Sequence, residues 1–326
     1  REFSVFLLGL FILGTGMAVL QTAVNPYITI LGPIESAAKR ISIMGIANKV
    51  AGAIAPLVLA YFVVHEGDDE AINNLATMLP ADKELFLSAL AERVINPYIG
   101  MAVTLVLVGI GLKFSNLPDI DSAENANNGK SVNPQTDKNS ILEYPYLILG
   151  VITLFFYVGA EVIAGDTIIR YGQSLNIPME TAKNFTTYTM IGMLVGYLSG
   201  IILIPRFVNQ HKALQVSAVL GLLFTLAALF TNGFVSVLFI AMLGLANALV
   251  WPAVWPLAIK GLGKHIKTGS ALLIMAISGG AILPLVWGKL SDVFNSQDAY
   301  LILIPAYLFI LFFATYGYKI KEWKRQ

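Results

Sequence analysis

GAIAPLV at residues 52–58 returns as GAILPLV at residues 280–286, and both copies sit well inside apolar runs long enough to cross a bilayer. A self-similarity of this kind bears on architecture before any local reading does, because it says that one structural unit has been used twice. Outward from the two copies the match continues. Upstream, AVNPYI (23–28) corresponds to AVWPLA (253–258); downstream, INPYI (95–99) corresponds to LIPAY (303–307). Three consecutive apolar segments at the start of the chain are therefore mirrored by the last three.

Composition identifies the solvent of these segments. Over 326 residues the chain is 56% hydrophobic and only 13% charged, with a mean hydropathy of +0.72, where a soluble domain has about a quarter of its residues charged. Runs of roughly 20 apolar residues read as helical membrane spans, and they occur at 4–31, 40–64, 95–116, 145–170, 184–204, 213–231, 234–259, 269–290 and 299–319. The expectation is an all-α integral membrane protein with nine transmembrane helices. The first three mirror the last three, while the middle three have no mate, so three further helices are expected ahead of Arg1. The complete arrangement would be two six-helix halves related by a pseudo-two-fold along the membrane normal. In that frame residues 1–116 are the remainder of the N-terminal half, with an outer-loop insert at 68–93 whose Leu85, Phe86 and Leu90 could make a short amphipathic helix. Residues 117–142, rich in Asn, Ser and Lys, are a cytoplasmic linker, and 143–326 form the C-terminal six-helix half.

Net charge is only +1, so the placement of charge carries the information. Lys39/Arg40, Arg206/His211/Lys212, Lys260/Lys264/Lys267 and Lys319/Lys321/Lys324/Arg325 fall in alternate loops, which are expected to be cytoplasmic together with the C-terminus. The opposite side carries HEGDDE (65–70) and SDVFNSQDA (291–299), with Lys289 as a dissenting cation. The chain has no cysteine and three scattered histidines, which excludes disulfides, thiol chemistry and a Cys-based metal site. It has no Gly-rich phosphate loop, HExxH, CxxC or nucleophile motif, so no enzyme, cofactor, metal or nucleic-acid partner is expected. It begins at Arg1 inside an apolar run, without a methionine or signal peptide, and reads as a fragment.

Polar side chains inside the spans are the candidate functional groups, because such groups in lipid are tolerated chiefly when they face protein or a wet cavity. Gln21 and Asn25 are one helical turn apart on a common face, as are Asn247, Trp251 and Trp255. Under the repeat, Gln21 stands opposite Trp251 and Asn25 opposite Trp255. Packing or interface tryptophans, proline kinks at Pro26 and Pro256, and carboxamides acting as helix–helix glue are the structural alternatives. Asn48 precedes Lys49, which lies midway along its span, where lysine costs about +2.5 to +3.5 kcal/mol and needs an anion. Glu161 is the first candidate for that anion. Asp166 is the second, because it lies nearer the outer end and could pair with Arg170 instead. A Lys49–Glu161 bridge that changes during a conformational cycle and a static pair both remain open. Glycines 159, 165, 192, 196, 200, 279 and 280 read as close-packing positions.

LQTAVNPYITILGP (20–33), FFYVGAEV (155–162), NALVWPAVWPLAIKGLGK (247–264) and GSALLIMAISGGAILPL (269–285) resemble the fucose, glucose and galactose permease family of the major facilitator superfamily. The resemblance implies the major facilitator fold lacking its first three helices. It also implies an ion-coupled hexose importer working by alternating access in a plasma membrane, for instance a bacterial inner membrane, and monomeric when full length. The proton-linked fucose permeases carry a glutamate where this chain has Gln21 and a glutamine where it has Gly45, while Asn48 is kept. Lys49 is more similar to the glucose/galactose branch, which includes sodium-coupled members, so the coupling ion is sodium or proton. A sugar fits the candidate residues: carboxamides of Gln21, Asn25, Asn48 and Asn247 suit hydroxyl arrays, and the indoles of Trp251 and Trp255 suit the C–H face of a pyranose. Lys49, Glu161 and Asp166 would serve coupling or gating. A non-transporting membrane sugar sensor, or an amino-sugar or fucose permease, is the alternative. The 326 residues by themselves are expected not to transport.

Overall fold

In the computed structural model, residues 3–63, 68, 74–75, 77–115 and 138–323 are described, the side chains of residues 56 and 57 excepted. Most of the expected linker, most of HEGDDE, and Lys324 and Arg325 lie outside them. The helices are α1 (Phe3–Ile30), α2 (Ala37–Val63, after a 3-10 turn at Ile34–Ser36), α3 (Pro80–Phe114), α4 (Pro145–Asp166), α5 (Ile168–Ser174), α6 (Met179–Ala182), α7 (Phe185–Leu203), α8 (Gln210–Phe230), α9 (Gly233–Asn247), α10 (Val250–Ile259), α11 (Ile266–Met275), α12 (Gly279–Val293) and α13 (Leu303–Thr315). Among the described residues, nine helical stretches are long and apolar enough to cross a membrane. Their positions match the apolar runs to within a few residues at most ends. The apolar rhythm of Leu85, Phe86 and Leu90 is not a separate helix: it lies on the first turns of α3, which runs unbroken for 35 residues.

The chain divides into two compact units, one of residues 1–46 and 120–326, the other of residues 47–119. In the second, α3 buries none of its residues, and Arg93 Nη1 donates to Asp68 Oδ2 at 2.6 Å. In the first, α4 is the hub, packing on α12, α10, α13, α9, α11 and α7. Its contacts are close because small residues let helix backbones approach, which is how helices associate when lipid is as apolar as their side chains. A Cβ on Gly279 would lie 1.9 Å from the Phe155 carbonyl oxygen, and one on Gly159 would lie 2.2 Å from Leu283 Cδ1. Gly192 and Gly196 of α7 meet the backbone of Leu245 in the same manner. The close-packing reading of the glycines thus holds for 159, 192, 196, 200, 279 and 280 but not for Gly165, which has nothing within 4 Å.

Several spans are interrupted. α9 and α10 part at residues 248–249, where the ring of Pro252 excludes the carbonyl of Ala248 from helical bonding. A 3-10 turn at Ala276–Ser278 separates α11 from α12, a feature that often marks a hinge within a helix. α4 and α5 part at Thr167, whose hydroxyl donates to Ile163 O at 2.7 Å and meets Tyr300 OH at 2.9 Å.

The corner between α1 and α2 is fixed by one side chain. Arg40 Nε donates to Ile28 O at 2.8 Å, Nη2 to Thr29 O at 2.6 Å, and Nη1 to Ser36 Oγ at 2.7 Å, with longer bonds to the Gly32 and Pro33 carbonyls. The last carbonyls of a helix have no partner within it, and a planar guanidinium with five donors can collect several of them at once. From this corner the first turns of α2 run along α7 and the segment after it. Ala38 packs with Ile204 and Ala213, a Cβ on Gly200 would lie 3.3 Å from Ser42 Oγ, and Ile46 packs with Met193, Tyr197 and Ala248. Gln210 Nε2 donates to Ile34 O.

Candidate functional site

The break between α9 and α10 presents Asn247 and Trp251 to α4 and α13. Asn247 is fully buried; its Oδ1 accepts from Tyr307 OH at 2.9 Å, while its Nδ2 has no protein partner. Trp251 and Trp255 stack with ring centroids 5.4 Å apart and planes at 27°. Trp255 is fully buried with an unpartnered Nε1, so it backs the half-buried Trp251, whose ring centroid lies 6.4 Å from that of Tyr157. The spacing put Asn247, Trp251 and Trp255 on one helical face; Trp251 and Trp255 do stack, while the break at 248–249 separates Asn247 from their helix.

Glu161 lies one turn beyond Tyr157 on α4, about halfway along the helical stretch formed by α4 and α5. It lies near Tyr157, Tyr197 of α7 and Tyr307 of α13. Tyr157 and Tyr197 are also near each other. All three tyrosines are buried. Around the Glu161 carboxylate and the three phenols, the half-buried indole of Trp251 lies beside Tyr157 and the Asn247 carboxamide bonds to Tyr307.

The remaining sequence candidates are distributed as follows. Gln21 and Asn25 share a face of α1, as their spacing requires. Asn25 is 3% exposed, donates Nδ2 to Gln21 O at 2.9 Å, and leaves Oδ1 without a protein partner. No hydrogen bond joins this pair to Trp251 or Trp255 among the described residues. Asn48 is exposed and Lys49 half-buried on the part of α2 that belongs to the second unit. Asp166 ends α4 and is exposed. Arg170, the partner considered for Asp166, donates to Asp292 Oδ1 at 2.6 Å.

Tyr157, Tyr197, Tyr307 and Arg40 escaped the sequence reading. The three tyrosines could have been found by the argument applied to the carboxamides, since a hydroxyl within a span also needs a partner. Their convergence from three helices has no linear signal.

Residues 2–283 match the family model of the Major Facilitator Superfamily. The chain belongs to that superfamily. Within it, the chain is a member of the family of fucose, glucose and galactose permeases, as the sequence motifs suggested. It is 31% identical over 322 residues to a "Glucose/galactose transporter" of Brucella abortus, a match covering 98% of this chain and 73% of that protein. It is 28% identical to the "L-fucose-proton symporter" of Escherichia coli K12, covering 96% of this chain and 71% of that one. The crystal structure of the major facilitator transporter FucP in the outward conformation superposes with a TM-score of 0.80 at 26% identity, over 97% of this chain and 77% of that chain. A second structure, of a variant of the E. coli fucose:proton symporter FucP, gives 0.82. The superfamily member described here is therefore an all-α, multi-pass integral membrane protein, and its relatives are transporters, not enzymes.

Proposed function

We propose that the protein is a secondary active sugar importer that couples entry of a hexose of the glucose or galactose class to an ion gradient and works by alternating access. The observation that carries the reading is the stacked Trp251–Trp255 pair beside Tyr157, in a chain 31% identical to a glucose/galactose transporter. An indole face packs on the C–H face of a pyranose. Carboxamide and phenol groups recognise its hydroxyls as paired donors and acceptors, and the unpartnered Nδ2 of Asn247 is a donor that a sugar oxygen would satisfy. Gln21, Asn25 and Asn48 are the further proposed sugar contacts. Lys49, Glu161 and Asp166 are the proposed coupling and gating residues. The same reading puts the protein in a plasma membrane with a cytoplasmic C-terminus, as a monomer whose only ligands besides lipid are the sugar and the coupling ion.

Uptake of labelled glucose, galactose and fucose by the full-length protein, with sodium concentration and pH varied independently, tests the proposal. Uptake of a hexose driven by one of the two gradients is the expected result. Sugar-dependent quenching of tryptophan fluorescence without any uptake would indicate a sensor and overturn it. For the charged residues, normal uptake by Lys49→Met would remove Lys49 from the coupling role.

A further inference from the structure

Ala248 and Leu249, the residues at which α9 and α10 part, each pack in a cluster that contains a residue of α2. Ala248 is fully buried with Met193 and Tyr197 of α7, and Ile46 of α2 packs against the three. Leu249 packs with Ile204, Ala213 and Ala38 of α2. α7 makes room for both residues of the break. A Cβ on Gly196 would lie 2.5 Å from Ala248 Cβ, and a Cβ on Gly200 would lie 2.3 Å from Leu249 Cδ2 and 3.3 Å from Ser42 Oγ of α2. Gly200 is thus a notch shared by the break and by α2. The ring of Tyr197 leans on α2 with equal closeness, its Cε1 2.7 Å from where a Cβ on Gly45 would sit.

The proposed sugar contacts flank this seat. Asn247 immediately precedes it, with Oδ1 held by Tyr307 and a buried Nδ2 that has no protein partner. Trp251 follows it, stacked on Trp255 and beside Tyr157. In a continuous helix the angle between residues 247 and 251 is fixed by the backbone bonds that join them. Here the helical bonding of α9 ends with Ala248 N donating to Gly244 O at 3.2 Å, and that of α10 begins with Ala253 N donating to Leu249 O at 3.1 Å. Pro252 cannot donate to the Ala248 carbonyl between them, and a proline at such a point is an ordinary cause of a kink. The angle is therefore set by what Ala248 and Leu249 pack against, which is α7 on one side and α2 on the other.

We propose that Ala248 and Leu249 are positioning residues for the sugar site: seated on Gly196 and Gly200 and braced by Ala38, Ser42 and Ile46, they hold Asn247 and Trp251 at the sugar-binding angle while α2 is packed on α7. The proposal rests on the sugar-transporter reading above. When α2 leaves the seam, the break relaxes and the carboxamide and the indole no longer meet the same pyranose. A site that is better formed in one state binds its ligand more tightly there, and bound sugar favours the packed state by the same factor.

The test uses Leu249→Ala, Leu249→Met, Ile46→Ala and the Leu249→Ala/Ile46→Ala pair in the full-length protein. Each is made with Trp323→Phe, which removes an exposed indole and leaves half-buried Trp251 beside the buried Trp255 and Trp287. Glucose and galactose are titrated by tryptophan fluorescence, KM and maximal rate of sugar exchange are measured, and acrylamide quenching is read without sugar. Leu249→Ala is expected to raise Kd and KM roughly ten-fold with little change in maximal rate, and to make Trp251 easier to quench. Leu249→Met keeps the volume of the side chain and should recover most of the affinity. Ile46→Ala should raise Kd about five-fold, and the double variant should bind no more weakly than the weaker single one, because both losses act through the break. Leu249→Val and Ile46→Val carry the same comparison at smaller amplitude if an alanine variant does not fold. Unchanged Kd and quenching in the variants at both positions, or single losses that multiply in the double variant, overturn the proposal. Wild-type protein that binds no hexose, with quenching that still rises in Leu249→Ala, would overturn the sugar reading and leave the positioning of Trp251 standing.

Discussion

α1 and the α9–α10 pair carry matching sequence, AVNPYI against AVWPLA, and hold their polar groups in opposite ways. In α1 the carboxamide of Asn25 turns back to the Gln21 carbonyl of its own helix, and none of the most apolar stretch is buried. In α9–α10 the carboxamide of Asn247 reaches another helix through Tyr307, and 56% of the corresponding stretch is buried. One copy is a continuous helix and the other is broken before Pro252. A repeat fixes where a span lies and where its proline falls. The neighbours determine whether its polar groups are closed upon the same helix or connected across the bundle.

Substitutions in the two copies should therefore have unequal effects. Trp255→Ala removes a fully buried indole stacked on Trp251, and is expected to lower stability by about 3–5 kcal/mol, read as a fall in the thermal midpoint in detergent. Asn247→Ala leaves the Tyr307 hydroxyl without its acceptor. The expected loss is about 1–3 kcal/mol, and single losses for Asn247→Ala and Tyr307→Phe that simply add in the double mutant, with no coupling, would show the bond to be irrelevant. Trp251→Ala should weaken sugar binding roughly ten-fold while costing about 1 kcal/mol of stability beyond its buried area, a separation that titration and melting read independently. Asn25→Ala removes only a bond within one turn, and an effect below about 1 kcal/mol is expected. Last comes a reversal of sign between the copies. Gly244 would place a Cβ 2.1 Å from Thr189 O, whereas its counterpart Gly14 has nothing within 4 Å. Gly244→Ala should destabilise, and Gly14→Ala should stabilise by up to about 1 kcal/mol; equal melting shifts for both would remove the contrast.

The spans were legible because the cost of backbone polar groups in lipid leaves apolar helices as the available solution for such runs, and the repeat was legible because its prolines recur in register. Asn247, Trp251 and Trp255 could be picked out since polar or aromatic groups one turn apart on a span advertise themselves. The phenols around Glu161 could not be assembled from the sequence, because Tyr157, Tyr197 and Tyr307 meet only through the rotation of α4, α7 and α13 about their axes. That rotation is set by glycine contacts such as Gly159 on Leu283 and Gly196 on Ala248. The break at 248–249 was partly visible in Pro252, since a proline disrupts bonding to the carbonyl four residues earlier. The role of Arg40 was hidden because a basic residue at the end of a span already has a sufficient explanation in topology.

That arginine has a mechanical consequence. By holding the carbonyls of Ile28, Thr29, Gly32 and Pro33 together with the Ser36 hydroxyl, it makes the end of α1 and the start of α2 a welded elbow instead of a joint. Torque applied to α1 would reach Ala38, Ser42 and Ile46, which lie along α7, before it reached the residues around Trp251.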